Sequence, residues 1–152
     1  MKEGFKSYLD SVELSSVTVK DNIERIYRYA STLCPEKIVD IFVSDFIKDD
    51  GSREYGSLWF FSQSYVMEAR NFRNEIEYDI DVAKLHGWVA YYRAHIKDYD
   101  FNEASVKSRI MLEVFNVDTV SCEFKASGVN CDKLNSIIQT YIRKNILDET
   151  TI

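Results

Sequence analysis

With 152 residues, 45% hydrophobic and 29% charged, the chain has the size and composition of one ordinary domain, able to bury a core without metals or disulfides. Its 25 acidic and 19 basic residues leave a formal charge of -6, which repels nucleic-acid phosphates and anionic lipid, and no local run of Lys and Arg reverses that field. Cys34, Cys122 and Cys131 lack metal-ligand spacing and no apolar run reaches the roughly 18 residues of a membrane span, so the expectation is a reduced, cytoplasmic protein without cofactor or metal.

The predicted elements begin with a short amphipathic helix carrying Phe5, Tyr8, Leu9 and Val12. Its surroundings, MKEGFKSYLDSVEL, contain lysines without a following apolar run, unlike a signal peptide. Thr18 and Asp21 read as a capping box for a second helix, with Val19, Ile23, Ile26, Tyr27, Ala30 and Leu33 on one face and Pro35 as its stop. From Ile38 the period is that of strands. KIVDIFVSDFI runs into KDDGSREYG, whose Asp50-Gly51 pair signals a turn. SLWFFS and YVMEARNF read as two strands joined through Ser62 to Ser64. EIEYDIDV then alternates without a slip, with Ile76, Tyr78, Ile80 and Val82 on a face expected to be buried and Glu75, Glu77, Asp79 and Asp81 on a solvated one.

Residues 84–97 fit two periods. Leu85, Trp88, Val89, Tyr92 and Ile96 suit a helix, whereas Trp88, Ala90, Tyr92, Ala94 and Ile96 suit a strand; Gly87 and the Tyr91-Tyr92 pair favour the strand. SRIMLEVF and VSCEFKAS form an expected hairpin across NVDT, with Ile110, Leu112 and Val114 on one face of the first arm and Val120, Cys122, Phe124 and Ala126 on one face of the second. Beyond Gly128, Leu134, Ile137, Ile138, Tyr141, Ile142 and Ile146 trace a closing helix from Cys131 to Leu147. Asn130 is its expected N-cap, and Arg143 and Lys144 lie in its last turns, where the dipole favours cations.

This order predicts an α+β fold: a strongly curved antiparallel sheet or small barrel capped by a C-terminal helix, with one or two N-terminal helices. Residues 1–35 are expected to form a helical segment packed on the sheet, and residues 36–152 the barrel with its helix, as one folding unit. The stretch SLWFFSQSYVMEARNF is like a second and third strand with their short connection. VSCEFKASGVNCDKLNSIIQTYIRKNI is like a last strand running into a capping helix. Together they resemble a bacterial pleckstrin-homology-like domain of the PH and GRAM type, over about three quarters of the chain and by element order. The resemblance implies seven strands in two near-orthogonal sheets with a helix plugging one open end. Members of that family that bind phosphoinositides carry Lys and Arg along the first strand and its loop. Here SDFIKDDGSREYG sets Asp45, Asp49, Asp50 and Glu54 around Lys48 and Arg53, cancelling the charge a phosphate site needs, so phosphoinositide binding is not expected. If residues 84–97 are helical, the chain also resembles small acidic secretion chaperones, with an apolar sheet face for a partner segment.

Signals for catalysis are sparse. The nine-residue spacing of His86 and His95 points them to opposite faces of a strand or of a helix, so they do not make a metal pair. Glu75, Glu77, Asp79 and Asp81, about 7 Å apart along one strand face, suit a solvated surface better than a cation site. Cys122 alternates with core residues, Cys34 ends a helix where the dipole disfavours a thiolate, and Cys131 begins one beside the opposing Asp132. No glycine-rich phosphate loop, HExxH or GxSxG occurs.

The residues therefore read as a non-catalytic binding module for a partner protein or a second copy of itself, a homodimer. The alternatives are an acidic chaperone, and a small hydrolase or isomerase pairing Asp79 or Asp81 with His86. The aromatic run from Leu58 to Phe61 reads as core plus a cover, with Trp59 and Phe61 on an outer sheet face beneath the helix of Ile23 and Tyr27 or beneath a second subunit. Trp59, Phe61, Tyr27 and Ile23 are the expected interface.

Overall fold

The computed structural model describes the backbone of residues 1–85, 89–97, 105–113 and 119–143, and the side chains of residues 1–85 and 122–143. Two compact units divide the chain: Met1–Val43 with Ser57–Val82, and Ser44–Gly56 with the chain from Ala83 onward.

Two helices open the first unit. Helix α1 (Glu3–Ser11) buries Phe5 and Leu9 and carries Glu3 in its first turn, where the dipole favours an acid. It closes in a Schellman turn: Leu14 N–H donates to Leu9 O at 2.9 Å and Glu13 N–H to Asp10 O at 3.1 Å. Glu13 takes the left-handed position at φ 66°, and Leu14 and Leu9 are both buried beside the turn. Helix α2 (Val17–Leu33) is capped by Ser16, whose hydroxyl accepts from Val19 N–H at 3.3 Å. The cap thus falls two residues before the expected Thr18, which lies inside the first turn. Cys34 is extended, the conformation a following proline imposes, and α2 ends there as Pro35 predicts.

Strands β1 (Asp40–Ile47), β2 (Arg53–Phe61), β3 (Tyr65–Arg70) and β4 (Asp79–Lys84) make a four-stranded antiparallel sheet in that order. Gly51, at φ 84°, turns β1 into β2 as its Asp-Gly signal predicts. The β2–β3 register sets Leu58 opposite Ala69, Phe60 opposite Met67 and Phe61 opposite Val66, and all six side chains are buried. Tyr27 of α2 meets Phe60 with ring centroids 5.9 Å apart, and Phe5 of α1 meets Tyr27 at 6.1 Å. These rings join both helices to one face of β2. Tyr8 reaches the main chain of β1, its hydroxyl accepting from Val43 N–H at 2.9 Å.

The second unit holds β5 (Val89–Lys97), β6 (Ser105–Glu113) and β7 (Thr119–Ser127), an antiparallel sheet in that order, followed by α3 (Asn130–Ile137) and a π-helical turn (Ile138–Ile142). The strand reading of residues 89–97 is the one the structure takes, which removes the condition for the chaperone resemblance. The β6–β7 register places Ile110 opposite Cys122 and Leu112 opposite Val120, as the hairpin pattern predicts. Cys122, Phe124 and Ala126 are buried, with Leu134, Ile137, Tyr141 and Ile142 of the closing helix also inside. Its residues beyond 143 lie outside the described ones.

Asp45 is the polar centre of this unit. Wholly buried, it accepts at Oδ1 from Ser127 N–H (2.9 Å) and Asn130 Nδ2 (2.9 Å), and at Oδ2 from Ser127 Oγ (2.7 Å). Arg53 Nε lies 3.1 Å from the same Oδ2. Asn130 is therefore not the expected N-cap: it is the first helical residue, and its amide is committed to Asp45.

The α+β class holds, but the expected PH-like barrel, and with it the strongly curved sheet, does not. The strands divide into two open sheets with linear order, and among the described residues no ladder joins β1 to β7. Where those strands approach, Lys125 N–H and Ser127 N–H donate to the side chains of Ser44 (3.5 Å) and Asp45 (2.9 Å) rather than to a main-chain carbonyl. Side-chain acceptors stand in for the ladder that would close a barrel.

Candidate functional site

The site begins with what the EIEYDIDV segment fails to become. Asn74 Oδ1 accepts from Ile76 N–H at 2.9 Å and Glu77 N–H at 3.1 Å, an Asx-type turn that bends the chain where alternation predicts the start of a strand. Upstream, Asn71 sits in the left-handed region at φ 60°, and Asn74 N–H donates to Asn71 O at 2.9 Å. Helix α2 holds this bend. Buried Asn22 donates through Nδ2 to Phe72 O and, at 3.2 Å, to Asn74 O; Arg25 donates to Glu75 O at 3.1 Å. Only from Asp79 does the chain enter β4.

The consequence is an open groove of about 510 Å³ between α2 and the bend, lined by Arg25, Tyr29, Leu33, Ile76, Tyr78 and Ile80 with the carboxylates of Glu75 and Glu77. Ile76 is 93% exposed, Tyr29 57% and Leu33 55%, where the sequence pattern puts Ile76 and Leu33 on buried faces. Tyr29 and Tyr78 approach across it with ring centroids 6.3 Å apart. Of the face expected to be covered, Ile76 and Val82 are thus left in water and Tyr78 and Ile80 are half-buried.

Charge around the groove is acidic. Residues 75–82 carry Glu75, Glu77, Asp79 and Asp81 and no cation. Asp81 pairs with Arg70 at 2.6 Å, and the Arg25 guanidinium is held by a main-chain carbonyl. All four carboxylates are exposed, and among the described residues no group of three metal-ligating side chains occurs.

The residues singled out from sequence are placed differently. Trp59, Phe61 and Ile23 are buried, and Tyr27 is half-buried against Phe5 and Phe60. Asp79 and Asp81 stand on β4, while His86 lies outside the described residues, so the Asp/His pair has no geometry to report. Cys34, Cys122 and Cys131 are buried free thiols, and Cys131 Sγ donates to Ala126 O at 3.5 Å. No helix among the described residues is long and apolar enough to cross a membrane.

Comparison with protein-family models, with curated proteins and with solved structures finds no match. No family stands behind this groove, and its chemistry alone argues for a role. The residues that matter here, Tyr29, Leu33, Ile76 and Tyr78, carried a signal in the sequence: Asn71 and Asn74 are turn formers just ahead of the alternating run, and Tyr29 lies off the Ile23, Ile26 and Ala30 stripe.

Proposed function

We propose that the chain is a non-catalytic binding module that recognises a protein segment along the groove between α2 and residues 75–80. One observation carries the reading: large apolar side chains (Ile76, Tyr29 and Leu33) stand in water around a preformed concavity. An aromatic and aliphatic floor with a charged rim is the composition of protein recognition surfaces, where a few buried anchors supply most of the affinity. The lining sets two phenols, one guanidinium and two carboxylates around Leu33, Ile76 and Ile80, an aromatic and aliphatic surface with a polar margin.

A photo-reactive residue introduced in place of Ile76 or Leu33 tests this in the native cell, with exposed Lys37 substituted as the control position. Adducts of discrete protein mass from positions 33 and 76, absent from 37, are expected. Indiscriminate labelling at all three positions, or none at any, would refute the reading. Ile76→Lys should abolish the adduct at position 33 while leaving stability within about 0.5 kcal/mol, as for an exposed substitution.

A further inference from the structure

We infer that the occupant of this groove is an extended segment with alternating apolar and basic side chains, added as a fifth strand to the outer edge of β4. This rests on the protein-binding reading above and names the partner's form. Strand β4 ends the order β1-β2-β3-β4, so among the described residues its outer edge has no ladder partner. The opposite edge differs at Val43 of β1, whose main-chain N–H donates to the Tyr8 hydroxyl. Unpaired main-chain donors and acceptors template strand addition, and here they lie beside an apolar groove.

Geometry supplies the period. A strand laid along β4 runs about 4.8 Å from it and presents alternate side chains to each face. On one face they join Ile80 against Tyr29 and Leu33 of α2, which calls for apolar residues. On the other they meet Asp79 and Asp81. Asp81 is already held by Arg70 of β3, and Asp79 beside it calls for Lys or Arg from the guest strand. The same charges disfavour a second copy: two β4 edges side by side would set Asp79 and Asp81 against their own duplicates, and like charges on paired strands repel.

Selection of random peptides of about ten residues, long enough for one strand with flanks, on the intact chain decides it. Expected are sequences in which Val, Ile, Tyr or Phe alternates with Lys or Arg. Methylation of the main-chain nitrogens facing β4 should weaken a selected peptide about tenfold, and methylation of the intervening ones less than about twofold. The paired reversal Glu77→Lys and Asp79→Lys, at exposed carboxylates, should turn the selection toward acidic peptides. Retained peptides without two-residue periodicity, or insensitive to N-methylation at either register, would overturn strand addition and leave protein recognition standing. Retention no greater than on an Ile76→Lys, Leu33→Lys variant would overturn recognition itself.

Discussion

Asp45 and Arg53 face each other across the β1–β2 hairpin, Oδ2 to Nε at 3.1 Å, with the carboxylate wholly buried and the arginine side chain 23% exposed. Three further donors, from Ser127 and Asn130, complete the carboxylate. A buried charge is tolerable only when its lone pairs are taken, and here β2, β7 and α3 all contribute to taking them. Asp45→Ala would strand those donors and should cost about 3 to 5 kcal/mol. Urea unfolding should show a lower midpoint at unchanged slope. Arg53→Ala should cost less, because its side chain already reaches solvent.

Glu13 closes the Schellman turn of α1 from the left-handed region, at φ 66°. An L-residue with a Cβ pays about 1 kcal/mol there that glycine does not. Glu13→Gly should therefore raise stability by about that amount, seen as a higher melting temperature. A lower one would mean that the glutamate side chain holds more than the turn.

Asp50 gives a pH signature. The Ser52 hydroxyl, at 2.6 Å, and then the Ser52 N–H, at 2.9 Å, donate to its carboxylate and hold it below its ordinary value of 3.8. A depressed folded value means that the turn's contribution is present above 3.8 and is lost as the pH falls through the folded value. Carboxyl shifts followed by NMR should place the Asp50 midpoint below 3.8, and Ser52→Ala should bring it back up.

Asn22 tethers the bend that shapes the groove. Buried, it donates to two carbonyls while its Oδ1 has no partner among the described residues. Asn22→Ala should cost about 1 to 3 kcal/mol, the range for unsatisfied buried groups. It should also speed amide exchange at Ile76 and Glu77, whose N–H groups depend on the Asn74 turn. Loss of stability without faster exchange there would separate Asn22 from the groove.

Where local chemistry decided the outcome, the sequence was readable. The Asp50-Gly51 turn, the Pro35 stop and the β6–β7 register each depend on near neighbours or on strict alternation. The EIEYDIDV run shows the limit. Alternation identifies which side chains share a face, and it is silent on whether anything covers that face; Asn74 then took the first half of the strand into a turn. The barrel failed for a related reason. Seven strands followed by a helix suit a closed or an open arrangement equally, and what distinguishes them is contact between Ser44 or Asp45 and residues some eighty positions away. The groove was half legible: Ile76 and Tyr78 were picked out as apolar, but on a buried strand face rather than in the turn they occupy. Trp59 and Phe61, read as core beneath a cover, are buried within the chain.

The unequal edges of the four-stranded sheet also govern stoichiometry. Growth into a fibre needs two free edges on every copy, so that each molecule can accept one strand and offer another. The main chain of β1 is engaged at Val43 by Tyr8, whereas β4 is the terminal strand of the order at the other side. On the proposed strand addition, assembly through this sheet is therefore expected to terminate after one guest strand, bound one to one.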